Sequence, residues 1–226
     1  MGWEEYYQER PISFGASNEA YLLAFRGLRE ILEGFLPPEN PATFVLGGFH
    51  PIYGTPQSFK EFCEEIHPNP NDRHIFLDMN RYPLESLGPQ YPLRVQARLE
   101  DMPFADDSVD VFFLDYTLEF MSDPKVRKFA REAAKCLKRN GVLVCSVSVP
   151  IVPELSPMSR YFGRIKNRVQ TFPRSEEQIG KLLDPFLRVV LSVEYEISRS
   201  PQSVLVFGRP DSDFPQQKFF SSLIKE

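Results

Sequence analysis

Seven short segments rich in valine, leucine, isoleucine and phenylalanine recur along the chain, and their spacing constrains the fold more than any other feature. Several of the intervening stretches repeat apolar residues at helical spacing. Parallel strands need long crossover connections of this kind, usually helices. Alternating strands and helices therefore predict a parallel sheet covered on both faces. The seven segments cover residues 42–48, 74–78, 93–97, 109–114, 142–147, 187–197 and 203–207.

The fourth and the last two of these segments refine the prediction. Val109 to Leu114 is almost continuously apolar, which is typical of a strand buried on both faces. The last two segments are too close together for an intervening helix, so they should form an antiparallel hairpin at one edge. We therefore predict an α/β fold: a doubly wound, mostly parallel seven-stranded sheet, Rossmann-like in its connections.

The boundaries of this domain follow from its flanks. A helical pattern over residues 21–36 ends at two consecutive prolines, which stop a helix. We therefore divide the chain into an N-terminal segment with its helix (residues 1–39), an α/β domain (residues 40–209) and a C-terminal tail (residues 210–226).

The C-terminal tail has an apolar face of its own. Phe219, Phe220, Leu223 and Ile224 would share one side of a short helix. Exposing that face to water is unfavourable, so we expect the tail to dock on its own domain or on a partner. A second copy of the chain and a different protein both remain open as partners.

Charge and composition exclude several classes of function. The formal net charge of −5 disfavours general nucleic-acid binding, which is normally basic. No run of 18 apolar residues and no basic-then-apolar N-terminal stretch occurs, so we expect no membrane association. The three cysteines form no CxxC pair, which disfavours both disulfides and a metal site and is typical of the cytoplasm.

Residues 97–147 resemble the class I S-adenosylmethionine (SAM)-dependent methyltransferases, especially the small-molecule "methyltransferase type 11" group. The resemblance rests on the motifs Met102-Pro103-Phe104, Asp107-Ser108-Val109-Asp110, Glu132 and Leu137-Lys138-Arg139-Asn140-Gly141. It implies the Rossmann-like methyltransferase fold, SAM as the cofactor and a small-molecule substrate. Some of these positions are structural, and we expect Gly141 to end the preceding helix in a left-handed conformation.

The resemblance also implies where the cofactor would bind. The family's first turn reads roughly D-x-G-x-G-x-G, with an acid and glycines that let the backbone approach the methionine part of the cofactor. This chain has Gly47 in place of the acid, followed by Gly48 and Phe49, so the first motif is degenerate. We assign these three residues to the cofactor site.

Two further cofactor contacts follow from the strand ends. Asp78 closes the second strand, where the family's acid binds the ribose hydroxyls, and a carboxylate there forms charge-assisted hydrogen bonds. The family's adenine-facing acid aligns with Arg98, so we assign its role to the residues that follow: Leu99, Glu100 and Asp101.

Two residues are candidates for catalysis. His50 follows the first strand and could accept a proton from the substrate, and Asp115 ends the fourth strand, where the family often places substrate-facing groups. A loop histidine and a turn-capping acid are the alternatives. For the whole chain, the sequence leaves open a methyltransferase-like fold that has lost SAM and serves as a non-catalytic interaction module.

Overall fold

The fold is seen in a computed structural model that describes residues 36, 39–49, 55–115, 117–148, 172, 174–197 and 200–213. The strands lie close to the segments predicted from the sequence. They are β1 (Thr43–Gly47), β2 (Arg73–Asp78), β3 (Leu93–Gln96), β4 (Val109–Asp115), β5 (Leu137–Ser148), β6 (Arg188–Ile197) and β7 (Ser200–Gly208).

These strands form one sheet in the order β3-β2-β1-β4-β5-β7-β6. The first five are parallel to one another, and β7 is antiparallel to both β5 and β6. The predicted doubly wound sheet with an antiparallel edge hairpin is therefore confirmed. The strand order reverses between β1 and β4, and ligands of such sheets bind at the carboxyl ends of the strands near this point.

Helices cover the sheet: α1 (Thr55–Ile66), α2 (Arg81–Ser86), α3 (Asp123–Cys136) and α4 (Glu176–Leu183), with a 3₁₀ turn at Leu118–Phe120. The start of α4 shows a capping box. The Ser175 hydroxyl accepts a hydrogen bond from the Gln178 backbone N–H (3.2 Å), and the Gln178 side chain accepts one from the Ser175 N–H (2.8 Å). This reciprocal pair satisfies two N–H groups that a helix start would leave without partners.

Aromatic side chains fill the core on both faces of the sheet. On one face, the Phe59 ring of α1 packs edge-on against Phe113 of β4, with ring centroids 5.1 Å apart. On the other, Phe112 of β4 packs against Phe129 of α3 at 5.9 Å. Consecutive residues of β4 thus serve opposite faces, which is why this segment is apolar without alternation.

The end of α3 differs from the prediction. The helix stops at Cys136, and Leu137 is already extended (φ −65°, ψ 134°) and pairs with Val109 of β4. Gly141 is therefore not a left-handed helix stop. A Cβ there would lie 2.8 Å from the Val109 carbonyl oxygen, so a close approach of two backbones requires the glycine.

Asp110, one of the motif residues of the resemblance, has a structural role. Its carboxylate accepts hydrogen bonds from the Thr43 backbone N–H (2.8 Å) and from the Lys138 ammonium (2.8 Å). These contacts join β1, β4 and β5 at the amino ends of the strands, the edge opposite the candidate site.

Two predictions from composition can be compared with the described part of the chain. No helix in it has the length and apolarity that a bilayer crossing requires, and its three cysteines are buried and unpaired. The predicted first helix, the N-terminal segment and the apolar face of the tail lie outside the described residues. The division into three parts stays a prediction.

Candidate functional site

The turn after β1 has the tight backbone that the sequence predicts there. Gly48 has a positive φ of 61°, in the left-handed region that favours glycine. Its N–H donates to the Leu77 carbonyl of β2 (2.9 Å), which draws the turn against the neighbouring strand. A Cβ on Gly48 would also lie 2.4 Å from the Thr117 hydroxyl oxygen, so both backbone conformation and space require glycine.

Thr117 supports this turn from the other side. It follows β4, and its hydroxyl donates to the Gly48 carbonyl oxygen over 2.6 Å. Thr117 cannot be identified from the sequence, because no local pattern signals a contact between residues that are 69 positions apart.

Gly47 stands at the position of the family's acid, and apolar side chains surround it. A Cβ at Gly47 would lie 2.8 Å from the Phe112 ring and 3.0 Å from the Leu99 side chain. An acidic side chain would displace these neighbours, so the glycine is matched to its surroundings. Phe49 is buried in the core against the Phe76 ring (centroids 6.1 Å apart), which leaves its backbone as the part that could face a ligand.

Asp78 ends β2 beside this turn and is 4% exposed. Its Oδ1 accepts hydrogen bonds from the Asn80 backbone N–H (2.7 Å) and side-chain amide (3.0 Å). Burial raises the pKa of the Asp78 carboxyl to about 6, although the hydrogen bonds from Asn80 oppose the shift. A carboxylate held in an unfavourable environment at a strand end is typical of a functional site rather than of a stabilising contact.

Met79 follows this carboxylate and was not identified from the sequence. Its side chain is 49% exposed, so an apolar surface lies next to the buried acid. The thioether is flexible and polarizable and suits contact with an aromatic ring.

The loop after β3 meets the same edge. The Ala97 N–H donates to the Asp78 carbonyl oxygen (3.1 Å), and Leu99 is buried beside Gly47. Glu100 lies near two cations, 3.5 Å from the Arg98 guanidinium and 3.9 Å from the Lys125 ammonium. Asp101 is exposed and closes the turn through its N–H to the Arg98 carbonyl (3.0 Å).

The structure therefore brings together Gly47, Gly48, Asp78 and Leu99, with Glu100 and Asp101 on the same loop. Asp115 ends β4, where its backbone pairs with Ser146 of β5, but its side chain lies outside the described part of the chain. His50 lies outside the described residues as well, so its assignment and that of Asp115 stay predictions.

Arg174, which precedes α4, packs close to this edge and was also not identified from the sequence. Its side chain is 6% exposed. The guanidinium donates to the carbonyl oxygens of Leu118 (2.7 Å) and Met121 (2.6 Å) and forms an ion pair with Asp123 (2.6 Å). A buried arginine that donates to several carbonyls restrains the segment that carries them, here the 3₁₀ turn after β4.

Comparison with known proteins agrees with this architecture. A family model described as a methyltransferase domain matches residues 60–145, which confirms the resemblance to the class I methyltransferases. The chain is also 36% identical over 95 residues to the uncharacterized protein YafS of Escherichia coli strain K12. That match spans 40% of this chain and 39% of YafS, so it covers about two fifths of either protein.

Solved structures share the fold. One is a variant of LepI in complex with S-adenosylhomocysteine (SAH) and a substrate analogue, at a TM-score of 0.65 and 18% identity. The likeness covers 92% of this chain and 54% of LepI. Another is a chain from the complex between the Haloferax volcanii Trm112 methyltransferase activator and a methyltransferase, at a TM-score of 0.58 and 14% identity. That likeness covers 85% of this chain and 95% of the other.

Proposed function

We propose that this chain, with its methyltransferase domain at residues 60–145, is a SAM-dependent methyltransferase that acts on a small molecule. The observation that carries the proposal is the buried Asp78 carboxylate at the end of β2, next to the left-handed turn at Gly48. Keeping an acid ionised there disfavours folding, which is readily understood if the acid binds a ligand.

The residues at this edge fit the adenosine part of SAM. The Asp78 carboxylate would accept hydrogen bonds from the ribose hydroxyls, since a charged acceptor forms stronger bonds than a neutral one. Met79 offers an exposed apolar surface to the base, and Leu99 closes the space between β1 and the loop after β3. Glu100 and Asp101 are our candidates for the adenine amino group.

The methionine part of the cofactor would be held differently from the family pattern. Gly47 supplies no carboxylate, and apolar side chains pack where one would stand. We propose that backbone groups of the turn formed by Gly47, Gly48 and Phe49 make this contact instead, because a glycine turn lets a ligand approach the main chain closely.

When bound, SAM supplies an electrophilic methyl group on its sulfonium. The contribution of the chain is to align the acceptor atom of the substrate with that methyl group, which can supply much of the rate of such a reaction. We propose that Asp115, at the end of β4, or His50 accepts the proton that the substrate acceptor loses. Neither role requires a metal ion.

We also propose a protein partner for the chain. The predicted apolar face of the tail supports it, as does the likeness to a chain solved in a complex with a methyltransferase activator. Docking of the tail on its own domain and self-association through it are the alternatives. Nucleic acid, membrane association and a location outside the cytoplasm are not expected from the charge and composition of the sequence.

A calorimetric titration of the full chain with SAM and with SAH tests the cofactor assignment. The wild-type protein should bind both, and Asp78→Ala should weaken both at least tenfold. The matched control is Asp72→Asn, since Asp72 is also a buried carboxylate but contacts His67 and the Ala42 N–H at the amino edge of the sheet. The control should lose stability and keep its affinity.

Two results would count against the proposal. A wild-type protein that binds neither ligand would return the chain to the non-catalytic alternative, an interaction module on a methyltransferase fold. If the wild-type protein binds SAH and Asp78→Ala binds it equally well, the cofactor lies elsewhere. If SAM binds as proposed, production of SAH from SAM in the presence of a panel of small molecules would identify the substrate class.

A further inference from the structure

We infer that Arg174 is a positioning residue for the turn after β1, acting through Thr117. This inference rests on the proposed function, because that turn is the proposed binding site of the cofactor. Arg174 lies outside residues 60–145, the part of the chain that matches the methyltransferase domain.

Arg174 contacts the segment that follows β4. Its guanidinium donates to the carbonyl oxygens of Leu118, the first residue of the 3₁₀ turn, and of Met121, the residue after it. The N–H of Phe172 donates to the Glu119 carbonyl in the same turn (2.6 Å). The turn is thus held by contacts from residues that are more than 50 positions away along the chain.

The same segment contacts the glycine turn after β1. Thr117 immediately precedes Leu118, and its hydroxyl donates to the Gly48 carbonyl over 2.6 Å. The same hydroxyl occupies the space that a Cβ on Gly48 would need. The position of Thr117 therefore determines both a hydrogen bond to the turn and the steric limit on it.

The arrangement of these partners explains why residue 174 is an arginine. A lysine has one ammonium group and cannot reproduce the planar arrangement that reaches two carbonyls and the Asp123 carboxylate together. Burying a guanidinium without partners for its donors is strongly destabilising, and here Leu118, Met121 and Asp123, which follow Thr117 along the chain, supply those partners. Replacing Arg174 should therefore increase local opening of the turn at Gly48.

Arg94 provides a matched control. Its guanidinium also donates to backbone carbonyls, those of Leu84, Gly88 and Tyr91, but these lie in and after α2. None of these contacts involves Gly48 or Thr117. Arg94→Met and Arg174→Met both remove a guanidinium from carbonyls, and only the second removes one from the segment beside the glycine turn.

The experiment measures amide hydrogen exchange of Gly48 in the ligand-free protein, under conditions where exchange reports the opening equilibrium. The Gly48 N–H, which donates to Leu77, should exchange at least tenfold faster in Arg174→Met and in Thr117→Val, and no more than twofold faster in Arg94→Met. If Arg174→Met does not fold, Arg174→Lys is measured instead and should show the same direction of change.

A double variant tests whether the two residues act together. Arg174→Met combined with Thr117→Val should accelerate exchange no more than the larger single variant, because both remove the same support. Multiplied effects, equal acceleration in Arg94→Met, or an unchanged Gly48 amide would overturn the inference.

Affinity for SAH then separates this inference from the proposed function. It should fall at least tenfold in Arg174→Met and stay within twofold in Arg94→Met. If the wild-type protein does not bind SAH, the proposed function fails, while the exchange data still decide whether Arg174 positions the turn. Faster Gly48 exchange with unchanged SAH affinity in Arg174→Met would mean that the turn does not bind the cofactor.

Discussion

Replacing Asp78 by asparagine should make the ligand-free protein more stable and the cofactor complex weaker. The carboxyl group has its pKa raised from 3.8 to about 6 by burial. Between these two values the folded state binds more protons than the unfolded state, so stability falls as the pH rises through this window. Above about pH 6 the loss is complete, and it stays constant.

The size of the effect follows from the shift. Each pKa unit corresponds to about 1.36 kcal/mol, so the ionised Asp78 side chain lowers the stability at pH 7 by about 3 kcal/mol. Asparagine carries no charge and its Oδ1 can still accept from Asn80, but its amide needs acceptors, and an unmet one costs about 1–3 kcal/mol. We therefore expect a gain of as much as about 2 kcal/mol, which for a chain of this length is a few degrees in Tm.

The assay is urea unfolding of wild type and Asp78→Asn between pH 4 and pH 7.5, together with SAH titration at pH 7.5. The stability advantage of the variant should shrink as the pH falls towards 4, because the wild-type carboxyl group becomes neutral. The affinity for SAH should fall at least tenfold, since hydrogen bonds to a charged group are worth about 1.5–3 kcal/mol. A variant that is less stable at every pH and binds SAH normally would refute the reasoning and make Asp78 a structural residue.

The remaining predictions concern pH, glycine and cysteine. Affinity of the wild-type protein for SAH, measured by calorimetry, should fall as the pH drops below about 6, because a protonated Asp78 loses its charge as an acceptor; a flat profile from pH 5 to 8 would contradict this. Gly48→Ala should lower stability by about 2 kcal/mol or more through its left-handed backbone and the contact with Thr117, and should abolish SAH binding; a stable variant that binds SAH would contradict it. Gly141→Ala should lower the free energy of unfolding by about 1–3 kcal/mol without changing affinity, since its new Cβ meets backbone at the opposite edge; an unchanged unfolding curve would contradict it. The thiols of the three cysteines should stay unreactive towards a disulfide reagent at pH 8 until the protein unfolds, because burial raises the pKa of each, that of Cys136 to about 12; rapid labelling of the native protein would contradict it.

Local pattern predicted the elements of the fold well. The uninterrupted apolar character of β4 follows from Phe112 and Phe113 serving opposite faces of the sheet. The start of α4 is also determined locally, because the Ser-x-x-Gln pattern at Ser175 lets the two side chains cap each other's backbone. Such features depend on residues a few positions apart, so the sequence carries them directly.

Long-range packing limited the rest of the prediction. The sequence predicts that Gly141 ends α3, but Leu137 leaves the helix early to pair with Val109 of β4. Tertiary pairing here outweighs the local helix-stop signal. A glycine at position 141 is compatible with a left-handed helix end and with the close approach of another strand, and the local sequence does not distinguish these two reasons.

Some residues of the candidate site have a local sequence signature, and others do not. Asp78 and Gly48 are visible in the sequence, because strand ends and glycine turns have local signatures. Thr117 and Arg174 are not, since each contributes through contacts with residues more than 50 positions away. Burial of the Asp78 carboxyl group, which decides its pKa, likewise depends on neighbours that only the folded chain brings together.

The most direct test of the account is to map SAH on the protein by amide chemical-shift changes in isotope-labelled chain. The account predicts that the largest shifts occur at Gly48, at Asp78 to Asn80 and at Leu99, along the carboxyl ends of β1 to β3. Shifts confined to the amino edge, around Ala42 and Lys138, or no shifts at millimolar SAH, would contradict a cofactor site at this edge of the sheet.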